Sequence, residues 1–236
     1  MTQTKAIEPH DYWQEVFPPG SLAGDGGFRT SYPATLADGR QILLPIRPLA
    51  DDRHALASLI INQASFEVED ALAEELAARL APFRPEMVAG LPTLGLTLAA
   101  AVARKLGHKR YVPLGTSRKF WYADDLSVPL SSITTPGQKK RLYLDPRMLP
   151  LLQGRRVVLI DDVISSGASI LAGLSLMAAC GVEPVAIGAA MLQSERWRRP
   201  LADLSPQWPD RTVGVFATPM LVRDGDGTWT ASDTRI

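Results

Sequence analysis

Cysteine is almost absent: Cys180 stands alone among 236 residues, so no disulfide framework can form within the chain. Net charge is absent as well. Lys+Arg and Asp+Glu are 25 each, so nothing in the net charge suggests a nucleic-acid or membrane partner, and a small anionic substrate needs only local positive charge. No apolar run approaches the length of a membrane span, and residues 1–10 lack the apolar core of a secretion signal, so a cytoplasmic location is expected. There is no internal repeat, no low-complexity tract, and no helix-turn-helix signature or basic arm. At this length one good α/β core with a small appendage is the expectation, a single domain over 1–236.

What the sequence does hold is concentrated between Val157 and Ser169. Val157 to Ile160 is a short β-branched apolar run, the pattern of a strand buried on both faces of a parallel sheet. Asp161 and Asp162 follow at its carboxyl end, where ligands of open α/β sheets bind. Ser165, Ser166, Gly167 and Ser169 then open an apolar-periodic helix from Ile170 to Ala179 that ends at Gly181 with a C-cap signature. Cys180 falls in this helix as a small core residue. Helix-start N–H groups, the macrodipole and serine hydroxyls suit a phosphate dianion, while two carboxylates beside them suit vicinal hydroxyls or a magnesium ion. Phosphate plus diol describes a sugar phosphate. The alternative is an ordinary strand-to-helix turn capped by Asp162 and Ser166.

All thirteen positions from Val157 to Ser169 resemble the signature of the type I phosphoribosyltransferases: an apolar quartet, an acidic pair, two apolar residues, and a Thr/Ser-Gly-x-Thr/Ser loop. The resemblance implies an α/β fold, an open parallel sheet flanked by helices with a small hood subdomain over its carboxyl edge. It further implies that Ile164, Ser165, Ser166, Gly167, Ala168 and Ser169 hold the 5-phosphate of phosphoribosyl diphosphate (PRPP). Asp161 and Asp162 would meet the ribose hydroxyls and help hold Mg²⁺, directly or through water.

Read in order, residues 1–27 carry too many prolines and glycines for more than a short helical piece at Asp11 to Val16, with Tyr12, Trp13 and Phe17 packing it onto the body. Asp38-Gly39 between extended segments predicts a hairpin of Phe28–Ala37 with Gln41–Arg47, a candidate for the hood. Asp51 to Asn62 reads as a helix, with His54 as a surface or capping residue. Phe66 to Leu80 reads as an amphipathic helix, with Val68, Ala71, Leu72, Leu76 and Leu80 on one face. Met87 to Leu91 is a strand leading through a glycine-bounded turn into the helix Leu96–Leu106. In the resembled family this turn binds diphosphate, which assigns that role to Thr93, Leu94 and Gly95; adenine-type members have an arginine where this chain has Leu94. Lys109–Leu114 reads as a strand that delivers Arg118 and Lys119, similar to the family's diphosphate-contacting pair, with Lys119 a candidate catalytic residue beside Asp161 and Asp162.

Phe120 to Gly137 has the place and length of a mobile lid. Lys139, Lys140 and Arg141 follow it, then a strand Leu142–Leu144, and Phe120, Trp121 and Tyr122 serve its root, a base or a dimer contact. Val185–Leu192 predicts the strand beside the acidic one. Trp197 after it is a candidate to stack on a base, or a surface cation–π partner of its flanking arginines. Thr212–Thr218 is expected as the last sheet strand, and Pro219–Thr230 as a closing hairpin. Residues 1–62 and about 193–236 are thereby assigned to the hood or extension, and 63–192 to the core.

Hypoxanthine-guanine-type members carry an Asp where this chain has Ser165, and serine cannot act as that base. The resemblance is strong over residues 86–192 and favours adenine/purine-type or orotate-type enzymes. Expected is a transferase of nucleotide salvage and purine metabolism, a Mg²⁺-dependent homodimer moving a phosphoribosyl group from PRPP to a nucleobase and releasing diphosphate. The alternative is a PRPP- or nucleotide-binding regulator of the same fold without turnover, which Leu94 and the missing general base permit. An interaction scaffold fits the intact acidic pair and loop less well.

Overall fold

The computed structural model of the chain describes residues 7–22, 27–130 and 140–232. A 3-10 turn at Pro9–Asp11 replaces the helical piece expected over Asp11 to Val16, because Tyr12 and Trp13 turn inward instead. The Trp13 Nε1 donates to the Ser58 carbonyl at 3.0 Å, so the segment is anchored by aromatics as expected.

Strands β1 (Ser31–Thr35) and β2 (Gln41–Pro48) form the hairpin that Asp38-Gly39 signals, with Thr35 opposite Gln41. Next comes a correction. Residues 51–62 are no helix: β3 (His54–Ala57) runs antiparallel to β2, followed by a 3-10 turn at Ile61–Gln63. The Asp51 carboxylate accepts from the Arg53 and His54 backbone N–H groups at 3.0 Å, a local turn that competes with helix formation. Ala55 and Ala57 then alternate into the interior, and the strand's backbone groups find partners far away in sequence.

Helix α1 (Phe66–Leu80) matches its expectation end to end. Ser65 Oγ accepts from the Val68 N–H at 3.2 Å, Glu67 and Glu69 sit in the first turn and Arg79 in the last, and the five expected apolar residues are buried. Then follow β4 (Met87–Gly90), α2 (Gly95–Lys105), the two-residue β5 (Val112–Pro113), and a small hairpin of β6 (Ser127–Pro129) with β7 (Arg141–Tyr143). β5 is shorter than Lys109–Leu114 predicts because only residues 112 and 113 pair with β4. β8 (Val157–Ile164) is longer than its apolar quartet and carries both acids within it. α3 (Ala168–Ala179), β9 (Ala186–Gln193), α4 (Arg198–Leu204), β10 (Thr212–Thr218), β11 (Met220–Arg223) and β12 (Trp229–Ala231) complete the chain. Gly181, with φ +68°, ends α3 as its capping pattern predicts.

Two large sheets result. The parallel one has the order β10-β9-β8-β4-β5, and the antiparallel hood sheet has β1-β2-β3-β11-β12. β10 therefore belongs to the core layer, and only the β11–β12 hairpin of the last segment returns to the hood sheet. Val158 and Ile160 face the cluster that holds α1 and α2, while Val157 and Leu159 face the cluster that holds α3. Both faces are covered, which is why the strand reads as an unbroken apolar run. Burying each Leu or Ile of these clusters contributes roughly 1.5–3 kcal/mol. Among the described residues no helix is long and apolar enough to cross a membrane.

Candidate active site

Chain order fixes where the sheet opens. β4 leads into α2 on one face, and β8 leads into α3 on the opposite face. β4 and β8 are neighbours, so their connections diverge and leave a crevice at their carboxyl ends, the position favoured for ligands in such sheets. β4 stops at Gly90, opposite Ile160, whereas β8 continues to Ile164 beside β9. The acids thus emerge on the side where the neighbouring strand has already ended.

Asp161 is 6% exposed and Asp162 is 9% exposed. The Asp162 N–H donates to Asp161 Oδ1 at 3.0 Å. Burial, then the Asp162 charge beside it, holds the Asp161 carboxyl well above the usual carboxylate range, and burial raises Asp162 too. After the acids, Asp161 and residues 163–170 line a small cavity of about 100 Å³. Gly167 makes the tight entry to α3 with φ +83°, a left-handed conformation that a side chain would resist. The first turn of any α-helix leaves N–H groups without intrahelical partners, so this cavity has the makings of an anion cradle. Ser166 Oγ caps one of them, accepting from Ala168 N–H at 3.4 Å.

The other turn meets the acids directly. Thr93 is exposed, Leu94 half-buried and Gly95 buried at the start of α2. A Cβ on Gly95 would stand 2.8 Å from both the Cα and Oδ1 of Asp161 and 3.2 Å from the Ile160 carbonyl. No side chain fits there, so glycine is what lets the turn sit against the acid pair.

Arg118 and Lys119 are exposed on the loop after β5, and Arg118 is engaged with Asp124 at 2.9 Å. Arg141 is committed locally, donating to Ser127 Oγ at 2.7 Å and holding the β6–β7 hairpin, while Lys140 is exposed. Residues 131–137 of the expected lid, and Lys139 after it, lie outside the described residues. Tyr122 packs on Tyr143, and Trp121 lies under Arg147 with its Nε1 donating to Asp145 at 3.3 Å; Phe120 is 97% exposed. His54 pairs with Asp51 at 2.7 Å, which lowers that exposed carboxyl to about 2, and is a surface histidine as expected.

Trp197 needs correcting. It is 1% exposed, its Nε1 donates to the Ser194 carbonyl at 3.0 Å, and it joins the core cluster against α3. A buried ring offers no free face to a base. The cation–π alternative does hold for one flanking arginine: Arg198, itself exposed, lies 4.8 Å over the ring and covers it. Two further residues of the strand end Gln193 to Trp197, which the resemblance turns towards the base pocket but to which the motif reading gave no role, belong near the site. Arg196 donates to Ser165 Oγ at 2.8 Å, and Gln193 donates from Nε2 to the Ala57 carbonyl at 2.7 Å, tying the hood sheet to the end of β9. Neither carries a sequence signal beyond its place at a strand end.

Among the described residues no cluster of three or more His, Cys, Asp or Glu could hold a metal. Two adjacent buried carboxylates nonetheless fit a divalent cation that brings further oxygens from substrate or water, and their mutual repulsion is what such an ion would relieve.

An open parallel α/β protein, with an acid pair and a serine-lined cradle at its switch point, is the class that fold and site define. A family model described as "phosphoribosyl transferase domain" matches residues 57–214, more than half of the chain. The chain belongs to the phosphoribosyltransferase family. It is 31% identical over 146 residues to an orotate phosphoribosyltransferase of Halorhodospira halophila, covering 62% of this chain and 60% of that protein. It is 31% identical over 143 residues to an adenine phosphoribosyltransferase of Corynebacterium efficiens, covering 58% and 61%. The chain thus spans about three fifths of the length of the curated relatives it matches. Among solved structures, the Giardia lamblia APRTase complexed with 9-deazaadenine has the same fold, with a TM-score of 0.53 at 22% identity over 64% of this chain and 80% of that one.

Proposed function

We propose that the chain transfers the 5-phosphoribosyl group of PRPP to a nucleobase, a purine in the first instance, and releases diphosphate. The observation that carries this reading is the contact of Gly95 with Asp161, which brings the turn before α2, the acid pair and the serine loop into one crevice. Residues 164–169 hold the 5-phosphate, so that binding energy remote from the reacting carbon positions the ribose. Asp161 and Asp162 accept hydrogen bonds from the ribose hydroxyls and favour positive charge growing on the ring as diphosphate departs. Thr93, Leu94 and Gly95, with Arg118 and Lys119, face the leaving diphosphate, Lys119 supplying a charge-assisted donor to its oxygens. Asp161 and Asp162 would hold Mg²⁺, which when bound would supply neutralisation of the diphosphate charge. The protein works in the cytoplasm as a homodimer, and the exposed ring of Phe120 would be available to its contact.

A second reading, PRPP or nucleotide binding without turnover, is favoured by one feature. Leu94 puts no charge at the diphosphate turn. Calorimetric titration with PRPP and Mg²⁺, followed by a base panel scored for diphosphate release, separates the two. Release on one base establishes the enzyme and its acceptor. Binding without release on any base establishes the regulator, and absence of PRPP binding overturns the enzyme and leaves the second reading only its nucleotide, which a titration with a nucleoside monophosphate then tests.

A further inference from the structure

We infer that Arg196 is a phosphate-binding cation of the loop between β8 and α3, supplying the full positive charge that the loop's own residues lack. This rests on the proposed PRPP reading.

Between Asp162 and Ile170 the loop holds no basic residue, so its attraction for a dianion comes from N–H groups and hydroxyls alone. Arg196 enters from the end of β9. Its Nη2 donates to Ser165 Oγ at 2.8 Å, and its Nε donates to Ser194 Oγ at 3.3 Å. Both partners are neutral. Among the described residues no carboxylate pairs with Arg196, whereas Arg198 has Glu195, Arg118 has Asp124 and Arg147 has Asp145. A guanidinium without a counter-ion, resting on a hydroxyl of an anion cradle, is placed to receive an anion.

The backbone around it is fixed from both sides. Ser194 adopts φ +61°, left-handed for a residue with a side chain, and its N–H donates to the Thr218 carbonyl of the core sheet at 2.8 Å. Trp197 is buried, its Nε1 returns to the Ser194 carbonyl at 3.0 Å, and it lies beneath the loop, about where a Cβ on Gly167 would meet Trp197 Cβ at 3.5 Å. Residues 194–197 therefore form a short bridge held at the sheet and under the phosphate loop. Arg196 is the one member whose charged end reaches the loop. The Trp197 ring supports this bridge and takes no part in base stacking. With phosphate in the cradle, the Ser165 hydroxyl keeps its Arg196 donor and gives its own proton to a phosphate oxygen, or the guanidinium takes phosphate oxygens directly as a fork.

The test titrates the full chain with PRPP and Mg²⁺ at low and high salt, comparing wild type, Arg196→Ala, Arg196→Lys and the exposed neighbour Arg199→Ala. Arg196→Ala is expected to weaken Kd by roughly tenfold to a hundredfold, the effect of losing a hydrogen bond from a charged group. It should also flatten the salt dependence of Kd while leaving the melting temperature unchanged. Arg196→Lys recovers part of the loss, and Arg199→Ala matches wild type. Equal affinity of Arg196→Ala and wild type overturns this inference alone and leaves PRPP binding standing. A loss without change in salt dependence, or one accompanied by a lowered melting temperature, makes Arg196 a structural residue and overturns it as well. Failure of the wild-type chain to bind PRPP overturns the functional reading, and this inference with it.

Discussion

The turn between β4 and α2 and the segment from the end of β8 into α3 open onto one crevice, yet the first has no charged side chain from Gly90 to Gly95 while the second carries Asp161 and Asp162 in the strand, Ser165 and Ser166 in the loop, and Ser169 in the first turn of α3. Their glycines differ in the same way. Gly95 is required by crowding, with Asp161 occupying the space of its missing side chain; Gly167 is required by its backbone angle, the nearest atom to an added Cβ being 3.5 Å away. One turn contributes closeness and the other contributes charge and donors. The comparison teaches that a phosphorylated ligand here is held asymmetrically, with strong polar contacts at one end and mainly shape at the other.

The largest test removes the charged side of the contrast. Asp161→Asn with Asp162→Asn is expected to weaken PRPP binding by about 100-fold or more, since at least two hydrogen bonds to charged acceptors are lost at about 1.5–3 kcal/mol each. Calorimetry measures it, and unchanged affinity sinks the assignment of the acids. The same change should stabilise the fold at neutral pH. The Asp161 carboxyl has a raised folded-state pKa, so its stabilising contribution is complete below the ordinary carboxylate value and is lost as pH rises from there through the raised value. Asparagine has no such loss. Asp161→Asn should therefore melt above wild type at pH 7, with the gap closing towards pH 3; a gap that is constant with pH contradicts the burial argument.

Next comes Gly95→Ala, which breaks the close approach. Alanine would gain about 1 kcal/mol of helix propensity over glycine. Overpacking against the Asp161 backbone costs about 1–3 kcal/mol, with strain to add from a contact of 2.8 Å. Crowding wins. A net loss of about 1–2 kcal/mol is expected by denaturant titration, with weaker PRPP binding, and a neutral or stabilising effect would show that the turn has room to move.

Leu94→Arg makes the uncharged turn resemble the charged loop. A several-fold tighter Kd for diphosphate with Mg²⁺ is expected, on the order of 1 kcal/mol from one partly exposed charge-assisted contact. No tightening would mean that diphosphate does not lie at this turn. Smallest is Gly167→Ala, where no clash opposes the methyl and the left-handed angle alone costs about 1 kcal/mol. Gly167→Asn should cost less than Gly167→Ala by thermal melts, because asparagine tolerates that region; the reverse order would point to a packing cause.

Much of this architecture was legible in the chain. α1 is bounded by its own Ser65 cap and its three- and four-residue apolar spacing, the β1–β2 hairpin by Asp38-Gly39, and α3 by Gly181. These signals are local, so nothing distant had to be known. β3 was misread as helix because its partners, β2 and β11, are respectively near and some 165 residues away along the chain, and a four-residue strand between turns has too short a period to declare itself. Trp197 was misread for the opposite reason. Three flanking arginines suggest an exposed ring, and only packing against α3 shows that it is buried.

By itself the sequence determined the order β4, α2, β5, β8, α3, β9 and β10, though not β6 or α4, and placed acids and serines at one strand end, because apolar period, caps and turn residues act within a few positions of one another. Only the tertiary structure decided that α2 and α3 leave on opposite faces and open the crevice, that Gly95 touches Asp161, that Arg196 reaches Ser165, and that the chain's first and last strands share a second sheet. Those are contacts between residues remote along the chain, fixed by which apolar faces can be buried together, and no local pattern encodes them.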